Sequence, residues 1–522
     1  VLLVRNRMEF LALGSKCPHY GAPLSKGVLR GERLRCPWHG ACFNIRTGDI
    51  EEYPALDCIS CFKVTVEDGK VFITAKKKVL TLPAVTEYRQ HLGLRGTSAF
   101  CILLQDLESS LRVKDTSRRC LLNKNTVLLL GGGVAALVCA ETLRQEGFAG
   151  RIIMATNEKH VPYDKSKLSK KMDLKAEDMY LRKPEFLQAQ DIELWTEKEA
   201  VWVDFQKQKV LFMDGSSQKY HQLLIATGSH SGFLKVPGAD LQNVCTLQTP
   251  EESSKILELA TGKNLVIVGA SFIGTRLETA EKSQASRLPA PARDTNGTSL
   301  QPGAAAELPA WVLAGPFQML QNKGVKFHMK TELRELKGKD GKVAEAVLAN
   351  GEKLPADVVV LAIGSTPSSA FLKGTSIARD DKGAILVDLH MQTNIPNVFA
   401  AGDVVTFPVA LLDGDRSSIH HQQVAEAHGH CAALNMLKRG KELHTVPYFW
   451  TMLLGKSIRY AGCGKGYTDT VVKGSLEQQK FLIFYIRDGR VTAAASLNCD
   501  PMVSLIAEVL YLGKQISKEE AE

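Results

Sequence analysis

Thr126-Val127-Leu128-Leu129-Leu130-Gly131-Gly132-Gly133-Val134-Ala135-Ala136 decides the reading of the larger part of this chain. An apolar, strand-like run enters a glycine turn, and a helical stretch follows to Glu146. In a G-x-G-x-x-A turn the first glycine, Gly131, permits the tight bend. The second, Gly133, lets the backbone approach a pyrophosphate, and Ala136 lets the helix pack close to the strand. A second run, Arg151 to Ala155, ends near Glu158, well placed for a ribose hydroxyl. The expectation is a βαβ unit that binds a dinucleotide.

Asn264 to Val268 is another buried strand, followed by Gly269-Ala270-Ser271-Phe272-Ile273-Gly274. This is a second dinucleotide turn in which Ser271 replaces the middle glycine, with Gly269 and Gly274 at its ends. Beyond Arg276 the pattern breaks. Residues 282–315 include Leu288-Pro289-Ala290-Pro291-Ala292 and Gln301-Pro302-Gly303-Ala304-Ala305-Ala306. Such composition buries little apolar surface and reads as a disordered insert. A dinucleotide fold needs a second strand with a residue at its end to read the ribose. The expectation is therefore a sheet that has lost a central strand and binds its nicotinamide cofactor weakly or not at all.

The N-terminal residues carry different chemistry. Cys17-Pro18-His19 and Cys36-Pro37-Trp38-His39 each supply one thiolate and one imidazole from a turn-rich loop. A Rieske [2Fe–2S] cluster needs this supply, two cysteines on one iron and two histidines on the other. Zinc is the competing metal, but its structural sites usually pair ligands as Cys-x-x-Cys or His-x-x-x-His. Short β-type runs at Phe10 to Leu13, Phe62 to Val66 and Val71 to Ile73, punctuated by Gly27, Gly31, Gly48 and Gly69, predict a small all-β module. Cys58-Ile59-Ser60-Cys61 enters a strand, where residues three apart face opposite sides, and reads as chance rather than as a redox disulfide.

Bulk properties narrow the classes. At 522 residues with 44% hydrophobic and 23% charged content, the chain has room for several soluble domains. Its 65 Lys+Arg against 56 Asp+Glu give a net charge of +9. The basic residues are dispersed and no base-reading module is visible. That favours an acidic electron-transfer partner over nucleic acid. Twelve cysteines are too few for a disulfide scaffold, and a solvent-accessible cluster thiolate favours a reducing compartment. The longest apolar stretch, Val127 to Ala140, contains glycines and is too short to span a bilayer, so no integral membrane segment is expected. The first residue is Val1, inside a strand-like run, which reads as a fragment lacking its N-terminus. Targeting is then unreadable, and a cytoplasmic or mitochondrial location is expected.

Further segments carry a resemblance. Pro162-Tyr163-Asp164-Lys165 with Leu168-Ser169-Lys170, the strand ending Ala226-Thr227-Gly228, and Thr393 to Asp403 follow the dinucleotide turn in order. Tyr448-Phe449-Trp450 and Arg459-Tyr460-Ala461-Gly462 follow near the C-terminus. The chain resembles the apoptosis-inducing factor-like, FAD-dependent pyridine nucleotide oxidoreductases with an N-terminal Rieske domain. Ala22 and Trp38 stand where respiratory Rieske proteins keep an additional cysteine in each loop, so the cluster module resembles the ferredoxin and oxygenase type. The resemblance implies a multidomain chain: a small all-β Rieske domain, two Rossmann-like α/β domains for FAD and NAD, and an α+β C-terminal domain. The corresponding boundaries are 1–78, a linker at 79–122, FAD binding at 123–245 and 371–440, NAD(P)H binding at 246–370 (aberrant over 276–315), and an interface domain at 445–522.

The resemblance also implies FAD contacts from Lys165, Thr227, Gly228 and Asp403. It places Lys170 beside the isoalloxazine ring as a catalytic cation and brings the aromatic segment toward the flavin. The family expects an acid where this chain has Arg276. The implied activity passes electrons from NAD(P)H through flavin and the cluster to an unidentified acceptor. Two rival readings stay open. One is a redox-dependent, apoptosis-related binding or signalling protein with impaired NAD(P)H oxidation. The other is a reductase component of a Rieske oxygenase, for which His420, His421, His428 and His430 are the only histidine clusters.

Overall fold

A computed structural model describes residues 1–74, 114–232, 234–269, 284–288 as backbone, 321–322, 324–328 and 331–522. Contacts divide the chain into two compact units. Val1–Asp115 and Asp500–Gly513 form one, Thr116–Cys499 and Lys514–Glu522 the other. The expected linker falls mostly outside the described residues.

In the first unit, two antiparallel sheets follow from the short alternating runs. Leu2–Asn6, Glu9–Leu13, Cys61–Glu67 and Lys70–Thr74 make one, and Val28–Arg30, Arg33–Arg35, Cys42–Asn44 and Ile50–Glu52 make the other. Leu13, Leu24, Leu34, Phe43, Ile45 and Ile59 bury a common core, and Cys17 and Cys36 belong to it. Both cysteines therefore sit at the roots of loops that the core anchors. Cys58 is buried whereas Cys61 is exposed.

The second unit contains two parallel sheets. The first has the order Ile192–Trp195, Arg151–Ala155, Thr126–Leu130, Gln222–Ile225, Val398–Ala400. Every residue of its central strand Thr126–Leu130 is buried, which explains the unbroken apolar run. The helices Val134–Gln145 and Gln422–Met436 cross closely. Gly429 makes this possible, since a Cβ there would lie 2.1 Å from the Ala135 carbonyl oxygen.

The second parallel sheet has the order Val244–Cys245, Val358–Leu361, Asn264–Val268, Gln284–Leu288, Lys326–Phe327. Here one expectation is overturned. The sheet has not lost its strand: Gln284–Leu288 pairs in parallel with Asn264–Val268 along its whole length. The ladder is made by backbone N–H and C=O groups, so the polar sequence Gln-Ala-Ser-Arg-Leu can supply it. Composition had counted side-chain hydrophobicity and missed what the neighbouring backbone offers. The proline- and alanine-rich residues after Leu288 lie outside the described residues.

A five-stranded antiparallel sheet follows in the order Tyr448–Leu453, Lys456–Gly462, Arg490–Leu497, Lys480–Arg487, Asp469–Ser475. The helix Met502–Tyr511 comes next in sequence but clusters with the N-terminal residues.

Candidate functional site

Two sites emerge, one in each unit. In the first, backbone bonds close both cysteine loops. Cys17 N donates to Ala22 O at 2.9 Å, Gly21 N to Cys17 O at 2.8 Å, and Cys36 N to Ala41 O at 2.7 Å. Gly21 and Gly40 take left-handed backbone with φ of 74° and 78°, which a loop this tight requires. Folding brings the expected ligands together as two pairs. The Nδ1 atoms of His19 and His39 lie 3.1 Å apart, and the Cys17 and Cys36 thiols meet side by side. The bond from Cys36, together with burial, pushes the Cys17 thiol well above its ordinary range.

Among the described residues no three His, Cys, Asp or Glu side chains converge as one metal ion would require. Ligands arranged as a thiol pair and an imidazole pair fit a binuclear iron centre better than a single zinc ion. The donors present therefore fit the [2Fe–2S] group.

In the second unit a cavity of about 470 Å³ opens at the C-terminal ends of the first parallel sheet. Its wall includes Gly131, Gly133, Glu158, Lys165, Thr227, Gly228 and Asp403, drawn from segments far apart in sequence. The glycine turn is built as the sequence requires. Gly131 has φ of 132°, and a Cβ on it would meet the Ala226 carbonyl oxygen at 2.1 Å. Gly133 is the N-cap of the helix Val134–Gln145, has no side-chain cap, and would direct a Cβ into open space. The uncapped N–H groups and the positive end of the helix dipole are ready for an anion. Ala136 is fully buried on that helix.

Glu158 accepts hydrogen bonds from Tyr163 Oη at 2.7 Å and Lys165 Nζ at 2.8 Å. Ser229 Oγ lies 3.4 Å from Asp403 Oδ2. Tyr448, Phe449 and Trp450 line the same cavity, as the resemblance implied for the aromatic segment. The residues fit a dinucleotide with an extended flavin end.

Lys170 is different. It is exposed, its Nζ lies 3.3 Å from Ser166 Oγ, and it does not occur among the described residues lining the cavity. The 3-10 turn Lys165–Lys167 aims Lys165 at the wall instead. In the second parallel sheet, Gly269 repeats the geometry of Gly131, with φ of 121° and a notional Cβ 2.1 Å from the Ala362 carbonyl oxygen. Ser271, Gly274 and Arg276 lie outside the described residues.

His420 and His421 also line the cavity. His421 and His428 are buried, and burial holds both imidazoles down to about 3. His428 Nδ1 accepts the Gly402 N–H at 3.3 Å, which ties the helix Gln422–Met436 to the turn carrying Asp403. This is a structural role, distinct from the iron triad that an oxygenase would need.

Sequence reasoning missed a polar network in the first unit, in which half-buried Arg33 and buried Arg35 meet buried Glu52 and Glu508, with buried Ser504 beside it on the Cys36 carbonyl. The available signal was a serine and a glutamate four apart in an otherwise apolar helix.

A dinucleotide cavity on a parallel sheet, a second such sheet, and a small all-β module that pairs two thiols and two imidazoles are the architecture of an iron–sulfur flavoprotein oxidoreductase. The comparisons with known proteins agree. A Rieske [2Fe-2S] domain matches residues 1–63, a pyridine nucleotide-disulphide oxidoreductase domain residues 125–429, and a reductase C-terminal domain residues 448–522. The chain belongs to the pyridine nucleotide-disulphide oxidoreductase family.

It is 45% identical to apoptosis-inducing factor 3 of Mus musculus, over all of this chain and 82% of that protein. It is 27% identical to the ferredoxin–NAD(+) reductase component of the biphenyl dioxygenase system of Paraburkholderia xenovorans, over 76% of this chain and 96% of that one. The crystal structure of the ferredoxin reductase for the CYP199A2 system from Rhodopseudomonas palustris is similar at a TM-score of 0.70 and 26% identity, covering 76% of this chain and 97% of that one. The protein is an NAD(P)H-dependent flavoprotein oxidoreductase whose cofactors are FAD, NAD(P)H and a [2Fe-2S] cluster. Among the described residues no helix is long and apolar enough to cross a membrane.

Proposed function

We propose that Cys17 and Cys36 hold one iron, and His19 and His39 the other, in a cluster that passes electrons to an acidic redox protein. FAD occupies the cavity of the second unit, its pyrophosphate against Gly131, Gly133 and the N-terminus of the helix Val134–Gln145. Glu158 accepts from a ribose hydroxyl, Lys165 orients that carboxylate through its hydrogen bond, and Asp403 accepts from the polar chain near the flavin, with Thr227 and Gly228 shaping the floor. Gly269 opens the turn for NAD(P)H. The bound cofactors supply the chemistry, a hydride from NAD(P)H to flavin and then single electrons to the iron–sulfur centre.

One observation carries the reading: the glycine turn and the distant Asp403 segment line the same cavity. The acidic acceptor is supported by the net charge of +9. The signalling reading rests on the apoptosis-inducing factor resemblance; the strand whose loss would have fitted it is present as Gln284–Leu288. Anaerobic titration with NADH tests the reading. Bleaching of the flavin bands followed by reduction of the iron–sulfur absorbance is expected. Flavin that stays oxidised under excess NADH and NADPH would refute it.

A further inference from the structure

The helix Met502–Tyr511 is apolar except for Ser504 and Glu508. Four residues apart, they share one helix face. Both are buried, Ser504 fully and Glu508 to 2% exposure. That face meets the second cluster loop. Ser504 Oγ donates to the Cys36 carbonyl at 3.0 Å and lies 3.4 Å from that of Pro37. Glu508 Oε1 accepts from Arg33 Nε at 2.7 Å, and its Oε2 from Arg35 Nε at 2.8 Å.

Arg35, itself 2% exposed, donates to the Gly40 carbonyl at 2.9 Å and pairs with Glu52. Arg33 lies over the Tyr511 ring at 3.8 Å and reaches Glu51 at 2.6 Å. The loop from Cys36 to Gly40 is thus gripped at both ends. Ser504 holds the carbonyl of the cysteine, and Arg35, oriented by Glu508, holds the carbonyl after His39. A buried hydroxyl and a buried carboxylate in an apolar helix are destabilising unless they make such bonds.

We infer that Ser504 and Glu508 are positioning residues of the [2Fe–2S] centre, so that a helix from the far end of the chain is part of the cluster module. Their bonds fix the backbone that carries Cys36 and His39, and with it the direction of thiolate and imidazole. Hydrogen-bond partners behind metal ligands typically change metal affinity about 10- to 100-fold when lost, and Ser504 acts there directly on the Cys36 carbonyl, Glu508 through Arg35. This inference rests on the iron–sulfur reading of the four ligands.

The test uses the full chain with S504A and E508Q, each a change of few atoms, and FAD content as the control for the second unit. Cluster loss is followed by absorbance in the presence of an iron chelator, and the reduced cluster by electron paramagnetic resonance. Hydrogen exchange of the Cys36 amide, which bonds Ala41, is read in the apo protein. The expected result is about tenfold faster cluster loss, altered g-values and faster exchange in both variants, with FAD content held. Wild-type retention, spectrum and exchange in both variants would overturn the inference alone. A wild-type chain that takes up no cluster would sink the iron–sulfur reading, and the inference with it.

Discussion

His421 and His428 show how single side chains set the pH range of this molecule. Burial holds both neutral, at about 3 against an ordinary value of 6.5. Below pH 6.5 the unfolded chain binds protons that the folded chain refuses. Their contribution is therefore complete above 6.5 and is lost as pH falls toward 3. Each ring is worth up to a few kcal/mol across that window. The burial of Glu426 acts in the opposite direction. It raises the carboxyl to about 8, so the folded chain keeps a proton the unfolded chain has lost, and this contribution declines as pH rises from about 4.5 to about 8. Urea midpoints against pH check both: H428N should flatten the acid limb and E426Q the alkaline limb. The sequence offered His420-His421 and His428-x-His430 as clusters and favoured surface or core positions for them; which of them are core only the structure decided, since periodicity does not reveal which helix face another helix will cover.

The glycine turns belong to the scale of the element. Gly131 and Gly133 are near neighbours in one motif, yet they should fail differently. A methyl at position 131 collides with the Ala226 carbonyl and strains a φ of 132°, so G131A should lower the melting temperature by several degrees along with FAD content. At position 133 the backbone suits alanine and nothing lies within 4 Å, so G133A should keep its melting temperature and lose FAD. Equal thermal losses in the two apoproteins would contradict the assignment. Many elements could be placed from the sequence because local pattern alone demands them. Thr126–Leu130, Arg151–Ala155 and Asn264–Val268 are apolar runs with turn signals at their ends. Gln284–Leu288 escaped because it is held in the sheet by its neighbours' backbones.

At the scale of the whole molecule, the two cofactor sites should be separable by mutation. C36S should remove iron and its absorbance while FAD remains, read as iron and flavin per chain, because the two sites draw on different compact units. The net charge makes a further prediction. Turnover with an acidic ferredoxin-type acceptor should fall several-fold between low and physiological ionic strength, whereas flavin reduction by NADH should change little. Salt-independent transfer would argue against an acidic partner. The sequence by itself offered the chemistry: which residues could hold iron, where the chain must bend for a pyrophosphate, and the order of most strands and helices. Those follow from residue type and short spacing, which act locally. Only the tertiary structure decided that Lys165 rather than Lys170 faces the cavity. It alone brought Gly131 and Asp403 to one wall and set Ser504 and Glu508 against the Cys36 loop. These contacts join residues far apart in the chain, and their partners are chosen by how apolar faces bury one another and how buried polar groups are satisfied.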